Sequence, residues 1–225
     1  MMENHHYGQI FGNSNAPFVN GYAKSANLAA NYFGVGHPSL TNYLEMVGGS
    51  NFGVVNDNSP DWHNKACRSN LELNTPALEG APNICPIAGS GMDAFIVPNQ
   101  CHDQHARGAS EVGPYCQDTN DNLVVQAGDV TVQNLVGAIK ASEAWKDGHN
   151  AIVVVWDEND YSSLPNQVVT IVDTNYGVTG VTSKVKYNHF SLLKTLEAGF
   201  GLAYLNHAAD DNVPLMSDLF APKGH

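Results

Sequence analysis

The chain has little positive charge and no long apolar stretch. Its 225 residues include 10 Lys and Arg against 22 Asp and Glu, a formal net charge of −12. Proteins that bind nucleic acid or an anionic membrane electrostatically neutralise phosphates with Lys and Arg, so this composition argues against both partners. No apolar run approaches the roughly 18 residues that a membrane-spanning helix needs, so no transmembrane segment is predicted.

Signal-peptide features and metal-finger cysteine spacing are also missing. The first six residues, MMENHH, form neither a basic segment nor an apolar one. The four cysteines lack C-x-x-C spacing, which argues against a zinc finger. Their even number favours disulfides, with Cys67–Cys85 and Cys101–Cys116 chosen on proximity from three possible pairings. Disulfides would place the full-length form outside the cytoplasm, so we expect it to be secreted or periplasmic.

Apolar runs that alternate with helical patterns indicate an α/β fold. Strands are predicted at 52–55, 93–97, 151–156 and 167–172, and helices at 18–31, 130–145 and 189–197. The run AIVVVW at 151–156 is continuously apolar, as in a strand that is covered on both faces. With 43% hydrophobic residues the chain can bury one core. We therefore predict a single domain, 1–225, with a largely parallel sheet.

The segment GHPSLTNYLEMVGG at 36–49 predicts a helix with a serine at its start. Pro38 keeps His37 out of helical geometry, so Ser39 is the first good N-cap, and Gly48 and Gly49 form a stop. A hydroxyl among unpaired N–H groups at a helix N-terminus is well placed to be a nucleophile for phosphate chemistry. The simpler alternative is that Ser39 only caps the helix.

Polar side chains cluster after two predicted strands and at the start of the chain. Asn99, His102, Asp103 and His105 follow one strand, Asp157, Glu158 and Asp160 follow another, and Glu3, Asn4, His5 and His6 begin the sequence. Ligand sites lie at the carboxyl ends of strands in open parallel sheets, so the clusters could converge there. Crowded carboxylates need a cation, although each cluster taken alone could be an ordinary polar loop. Oxygen ligands with a few His suit Zn²⁺, Mn²⁺, Fe or Ca²⁺.

Five segments together resemble a phosphoesterase family of the alkaline phosphatase superfamily, which contains bacterial acid phosphatases and phospholipases C. MENHHYGQI at 2–10 is similar to the family's MENHSYDQI, and HPSLTNYL at 37–44 to its HPSLPNYL. FIVPNQCHDQH at 95–105, VWDENDY at 155–161 and HFSLLKTLEAGFGL at 189–202 also match, in the family's order. The resemblance implies a three-layer α/β/α fold with a largely parallel central sheet.

The resemblance also implies roles for particular residues. Ser39 would be the phosphorylated nucleophile and, with His37 and Asn56, would form the catalytic set. A divalent metal, Zn²⁺ as first choice, would be held by residues from five segments: Glu3, Asn4, Ser39, Asp103, Asp157, Glu158 and His189. Asn99, His102 and His105 are alternatives to Asp103. The expected substrate is a small phosphoester or a phospholipid headgroup.

The sequence departs from the family pattern in two places that could bear on activity. The apolar strand that usually precedes MENH is absent, and the middle, near 60–92, is shorter than in relatives. The fold is therefore expected to be incomplete, with no strand to position Glu3 and Asn4. The alternative function is an inactive, truncated remnant that binds metal or phosphate without turnover. A weaker alternative is a sulfatase- or phosphotransferase-like relative.

Overall fold

The computed structural model describes residues 1–57, 83–87, 93–99, 102–105 and 120–223. The described helices are α1 (Tyr7–Ile10), α2 (Pro17–Ser25), α3 (Ser39–Gly48), α4 (Asp121–Ala141), α5 (Glu143–Lys146) and α6 (His189–Gly199), with a 3₁₀ turn at Asn206–Ala209. The strands are β1 (Asn27–Ala29), β2 (Tyr32–Phe33), β3 (Asn83–Ile87), β4 (Asp93–Val97), β5 (Ala151–Val155), β6 (Gln167–Val168), β7 (Thr170–Thr174), β8 (Thr182–Ser183) and β9 (Tyr187–Asn188).

The main sheet has the order β5-β7-β1-β8 and mixed strand directions. β7 is antiparallel to both of its neighbours, and among the described strands of this sheet only β1 and β8 pair in parallel. All five residues of β7 are buried, as expected for a central strand. The α/β class is thus confirmed, whereas the largely parallel sheet is not observed in the described part of the chain.

Two smaller sheets complete the described strands. In the order β6-β2-β9, the β2–β9 pair is parallel and the β2–β6 pair antiparallel. β3 and β4 form an antiparallel pair. The predicted strand at 167–172 is therefore divided between β6 and β7, which belong to different sheets.

The first residues of the chain pair with β5, which corrects the expectation that Glu3 and Asn4 have no strand to hold them. Met2 forms a parallel bridge with Trp156, in which the Met2 N–H donates to the Val155 carbonyl at 2.8 Å. The Asp157 N–H donates to the Met2 carbonyl at 3.0 Å. On the other side, the Glu3 N–H donates to the Asp103 carbonyl at 2.7 Å. Backbone pairing thus fixes Glu3 between Asp103 and Asp157.

The helices bury their apolar faces in one hydrophobic cluster with β1, β5 and β7. α2 packs against α4, and the Asp129 carboxylate of α4 accepts the N–H groups of Phe18 and Val19 at 3.0 and 2.8 Å. A carboxylate at a helix N-terminus satisfies unpaired donors and complements the helix dipole. On the site side of the chain, α3 packs against α6.

Several predicted boundaries differ from the structure. The helix predicted at 18–31 ends at Ser25, and the helix predicted at 130–145 begins at Asp121 and ends at Ala141, ahead of the separate α5. The predicted strand at 52–55 is wrong, because a turn at 52–53, with positive φ at Phe52 and Gly53, breaks the extended backbone. The predicted disulfides involve Cys67, Cys101 and Cys116, which lie outside the described residues.

Candidate active site

Ser39 is the first residue of α3, with Pro38 as the N-cap, so the prediction that Ser39 caps the helix is wrong. Its side chain turns instead toward two buried carboxylates: Oγ lies 2.9 Å from Glu3 Oε2 and 3.1 Å from Glu158 Oε1. One hydroxyl hydrogen serves only one acceptor, so the second contact requires a proton on a carboxyl group. A serine that joins two acids at a helix N-terminus has proton acceptors in place for nucleophilic attack.

Four carboxyl groups from three segments form an acidic cluster beside this serine, with Asp103 near Glu3 and Asp157. Glu3, Asp103, Asp157 and Glu158 are all buried, and Asp157 is wholly inaccessible to solvent. Burial, reinforced by Asp157 and Asp103, raises the pKa of Glu3 well above its usual range. Burial likewise raises the pKa of Asp103 and that of Asp157 to about 7. Without a cation the cluster therefore keeps protons near neutral pH.

Asn4 adopts a left-handed backbone, φ 48°, which asparagine tolerates better than most residues. Its N–H lies 3.3 Å from Asp157 Oδ1, which also accepts the Glu158 N–H at 2.7 Å. Among the residues that the structure describes, Asn4 Oδ1 and Asp157 Oδ2 are buried without a hydrogen-bond partner. Buried polar atoms are nearly always paired, so two orphaned oxygens at one site indicate a missing ligand.

His5 fixes the chain beside Glu3. Its Nδ1 lies 3.2 Å from the Glu3 carbonyl, and its Nε2 lies 2.9 Å from Asp121 Oδ1 at the start of α4. His6 has a different task, because its Nδ1 accepts the Gly8 N–H and caps α1. Of the two terminal histidines, only His5 braces the acidic cluster.

Glu158 is held from its other side by His37 and Asn42. His37 Nδ1 lies 2.8 Å from Glu158 Oε2, and Asn42 Nδ2 donates to the same oxygen at 3.0 Å. The His37 ring stacks on Tyr161 with 3.9 Å between centroids, and burial lowers the pKa of His37. The sequence reasoning missed Asn42, although it lies three residues after Ser39 and thus on the same side of the helix.

His189 lies behind the cluster. Its Nε2 is 2.6 Å from the Asp157 carbonyl and its Nδ1 is 3.0 Å from the Tyr32 hydroxyl. Burial lowers the pKa of His189 to about 4, so the ring is neutral, with Nε2–H donating and Nδ1 accepting. In this structure both nitrogens contact protein groups, and the ring positions the Asp157 backbone. The predicted role of His189 as a ligand stays a prediction.

The remaining predicted residues occupy different surroundings. Asn56 is exposed, while the next residue, Asp57, accepts the Leu40 N–H through Oδ1 at 3.1 Å. A carboxylate thus lies on the helix N-terminus one residue from Ser39, a contact that the sequence reasoning missed because the turn at 52–57 was unknown. Of the alternatives to Asp103, the exposed Asn99 pairs with His102, whose Nδ1 lies 2.6 Å from Asn99 Oδ1.

The carboxylate and amide oxygens at the site are chemically suited to bind a cation, but in this structure they are not arranged as metal ligands. Carboxylates and an amide oxygen are ligands for hard or borderline divalent metals, and two of these oxygens are orphaned. Among the residues that the structure describes, however, no three His, Cys, Asp or Glu side chains converge on a common point as metal ligands. The Ser39 hydroxyl is within hydrogen-bond distance of both Glu3 and Glu158.

The chain is similar to a phosphatidylinositol-3-phosphatase of Mycobacterium tuberculosis (strain ATCC 25618 / H37Rv). The two are 26% identical over 264 aligned positions, which cover 97% of this chain and 80% of the relative. No protein-family model matches the chain, and no solved structure matches it. Similarity to a distant phosphatase supports phosphoester hydrolysis in general. Within the described residues, the helices are too short or too polar to cross a bilayer.

Proposed function

We propose that this protein hydrolyses phosphoesters through a phosphorylated Ser39. The observation that carries the proposal is the Ser39 hydroxyl at the N-terminus of α3, 2.9 Å from Glu3 and 3.1 Å from Glu158. Similarity to a phosphatidylinositol-3-phosphatase supports the reaction class. We further propose a small phosphorylated substrate, either a phosphomonoester of the acid phosphatase type or a phospholipid headgroup ester of the phospholipase C type.

In the first step, Ser39, an acidic side chain and the Leu40 N–H would have different roles. The Ser39 Oγ attacks phosphorus while its proton passes to a carboxylate of Glu3 or Glu158. The P–O bond to the leaving group breaks, and the departing alkoxide takes a proton from that carboxyl group or from water. The Leu40 N–H, next along the helix, faces an anion in the structure and would donate to a phosphate oxygen in the reaction. Attack of water on the phosphoserine then releases phosphate and restores the hydroxyl.

A divalent metal, Zn²⁺ first or else Mn²⁺, Fe or Ca²⁺, would be held by Glu3, Asp157 and Glu158 with the Asn4 amide oxygen. When bound it would lower the pKa of the Ser39 hydroxyl and offset the charge of the acidic cluster. Asp103 and His189 would hold this set in place, since Asp103 fixes the Glu3 backbone and His189 fixes that of Asp157.

Hydrolysis of p-nitrophenyl phosphate, with and without added Zn²⁺, Mn²⁺ or Ca²⁺, tests the proposal. We expect metal-stimulated release of p-nitrophenol that Ser39→Ala reduces at least about a thousandfold, as loss of a nucleophile does in other hydrolases. Ser25→Ala, at the exposed end of α2, is the matched control and should keep wild-type activity. Absence of turnover with every metal would contradict the proposal, and so would an active Ser39→Ala variant.

A second candidate, a protein that binds a cation or phosphate without turnover, is favoured by one observation. The Asp57 carboxylate already accepts the N–H beside Ser39, where a substrate phosphate would need it. Metal binding in calorimetry without p-nitrophenol release would support this candidate over the enzyme.

A further inference from the structure

Two segments without charged side chains meet beside α3 and α6. Residues 46–56 and 198–206 contain no Asp, Glu, Lys or Arg, in a chain with a net charge of −12. Asn206 Nδ2 donates to the Gly48 carbonyl at 2.7 Å, and the His207 N–H donates to the Gly49 carbonyl at 3.0 Å. Gly49 adopts φ 70°, and a Cβ there would meet the Leu205 carbonyl. The two segments therefore form one continuous surface.

This surface carries large apolar side chains that face solvent. We call the following set the apolar patch: Val47, Phe52, Leu202, Tyr204 and Leu205. Phe52 and Leu202 are 63% and 60% exposed, although Phe52 rests its ring on Gly48. Single exposed apolar residues are common on protein surfaces, but a contiguous group marks a surface that binds a partner or a membrane.

The apolar patch lies on the segment that leads to the candidate active site. Phe52 is five residues before Asp57, whose carboxylate accepts the N–H that follows Ser39. The same patch adjoins the C-terminal end of α3, the helix that begins with Ser39. A surface that docks on the patch therefore meets the protein one short helix from the proposed nucleophile.

Charge decides which occupant suits the patch. A net charge of −12 repels a second copy of the chain and an anionic bilayer alike. The Phe, Tyr and Leu side chains of the patch suit the interfacial region of an uncharged bilayer, where aromatic rings combine an apolar body with a polar edge. One ammonium group also adjoins the patch, since Lys194 Nζ lies 5.2 Å from the centroid of the Tyr204 ring. Two carboxyl groups adjoin the patch, Glu45 and Glu197, but both are buried and burial raises the pKa of each.

We propose that the apolar patch docks the protein on a zwitterionic lipid surface, and that this surface supplies the phosphorylated substrate. The choice of a lipid as the substrate rests on the proposed function, whereas docking itself requires no turnover. The patch would also explain how a strongly acidic protein approaches a lipid without electrostatic attraction.

The test is co-sedimentation of the full chain with sucrose-loaded phosphatidylcholine vesicles. We expect wild type to bind, with little dependence on salt, because no charge attraction is involved. The double variant Phe52→Ser/Leu202→Ser should bind about 30-fold more weakly, equivalent to about 2 kcal/mol. Val130→Ser, an exposed apolar residue on α4 outside the patch, is the matched control and should bind as wild type does.

The outcomes separate this proposal from the proposed function. If wild type hydrolyses p-nitrophenyl phosphate but does not bind the vesicles, the docking proposal is overturned and the proposed function is not affected. Vesicle binding that the double variant loses, in a protein without turnover, would uphold docking and contradict the enzyme. A double variant that only converts a dimer to a monomer in sedimentation velocity would assign the patch to a second copy and overturn the proposal. Unchanged melting temperatures of the variants establish that they fold.

Discussion

Glu45 offers a sharp test of the electrostatics, because it is a buried acid outside the candidate active site. The side chain lies on α3 with 7% of the residue exposed, and its Oε2 has no hydrogen-bond partner in the described part of the chain. Burial raises the pKa of Glu45 from 4.5 to about 7, against a smaller lowering by His207. The folded protein therefore keeps a proton on Glu45 at a pH where the unfolded chain has released it.

The sign of the pH effect follows from proton linkage. Between pH 4.5 and about 7 the folded state binds more protons at Glu45 than the unfolded state, so this group's contribution to stability falls as pH rises. A shift of about 2.5 units at 1.36 kcal/mol per unit gives an upper bound of about 3 kcal/mol, fully expressed above pH 7. Glu45→Gln removes this cost but buries an amide, so we expect a gain of about 2 kcal/mol at pH 8.

The assay is urea or thermal unfolding of Glu45→Gln and wild type at pH 5 and pH 8. A gain of about 2 kcal/mol corresponds to about 4–8 °C for a chain of this size. At pH 5 the two proteins should differ much less, because wild-type Glu45 is then protonated. Glu143→Gln on α5, where the side chain is 90% exposed, is the matched control and should show no such change. Equal differences at both pH values would refute the reasoning.

Two further predictions follow from α3. Asp57→Asn removes the negative charge that competes with phosphate for the Leu40 N–H. Inorganic phosphate should therefore inhibit the Asp57→Asn variant at concentrations about threefold lower than those that inhibit wild type. Asp147→Asn is the control. If the variant needed a threefold higher phosphate concentration for the same inhibition, Asp57 would not compete with phosphate at this N–H. Gly49→Ala should lower the free energy of unfolding by at least about 2 kcal/mol, because Gly49 has φ 70° and the new Cβ would meet a backbone carbonyl at 2.3 Å. Gly137→Ala, in an open part of α4, should instead raise it by about 0.5–1 kcal/mol, and a Gly49→Ala variant as stable as wild type would contradict the account.

The sequence predicted the buried strands well but not their directions. The apolar run at 151–156 correctly indicated β5, since a strand covered on both faces needs apolar side chains at every position. The same pattern fits parallel and antiparallel neighbours, so the antiparallel β7 could not be foreseen. Pairing of Met2 with Trp156 was missed because a bridge one residue long leaves no periodicity to detect.

The candidate site was predicted in part. The structure brings Ser39, Glu3, Asp157 and Glu158 close together, with Asp103 against the Glu3 backbone, while their predicted roles stay predictions. Sequence spacing does not show which way an imidazole points, so the contact of His189 with a backbone carbonyl appeared only in three dimensions. Asp57 was missed because its neighbour Asn56 fitted the family pattern, while the turn that directs a side chain to α3 depends on tertiary contacts.

In the proposed reaction, Ser39 carries the phosphoryl group. Wild type mixed with p-nitrophenyl phosphate, quenched in acid within the first turnovers and digested, can be analysed by mass spectrometry. We expect a phosphoryl group on the peptide that contains Ser39, and none on the same peptide from Ser39→Ala. Rapid p-nitrophenol release with Ser39 unmodified at every quench time would contradict it.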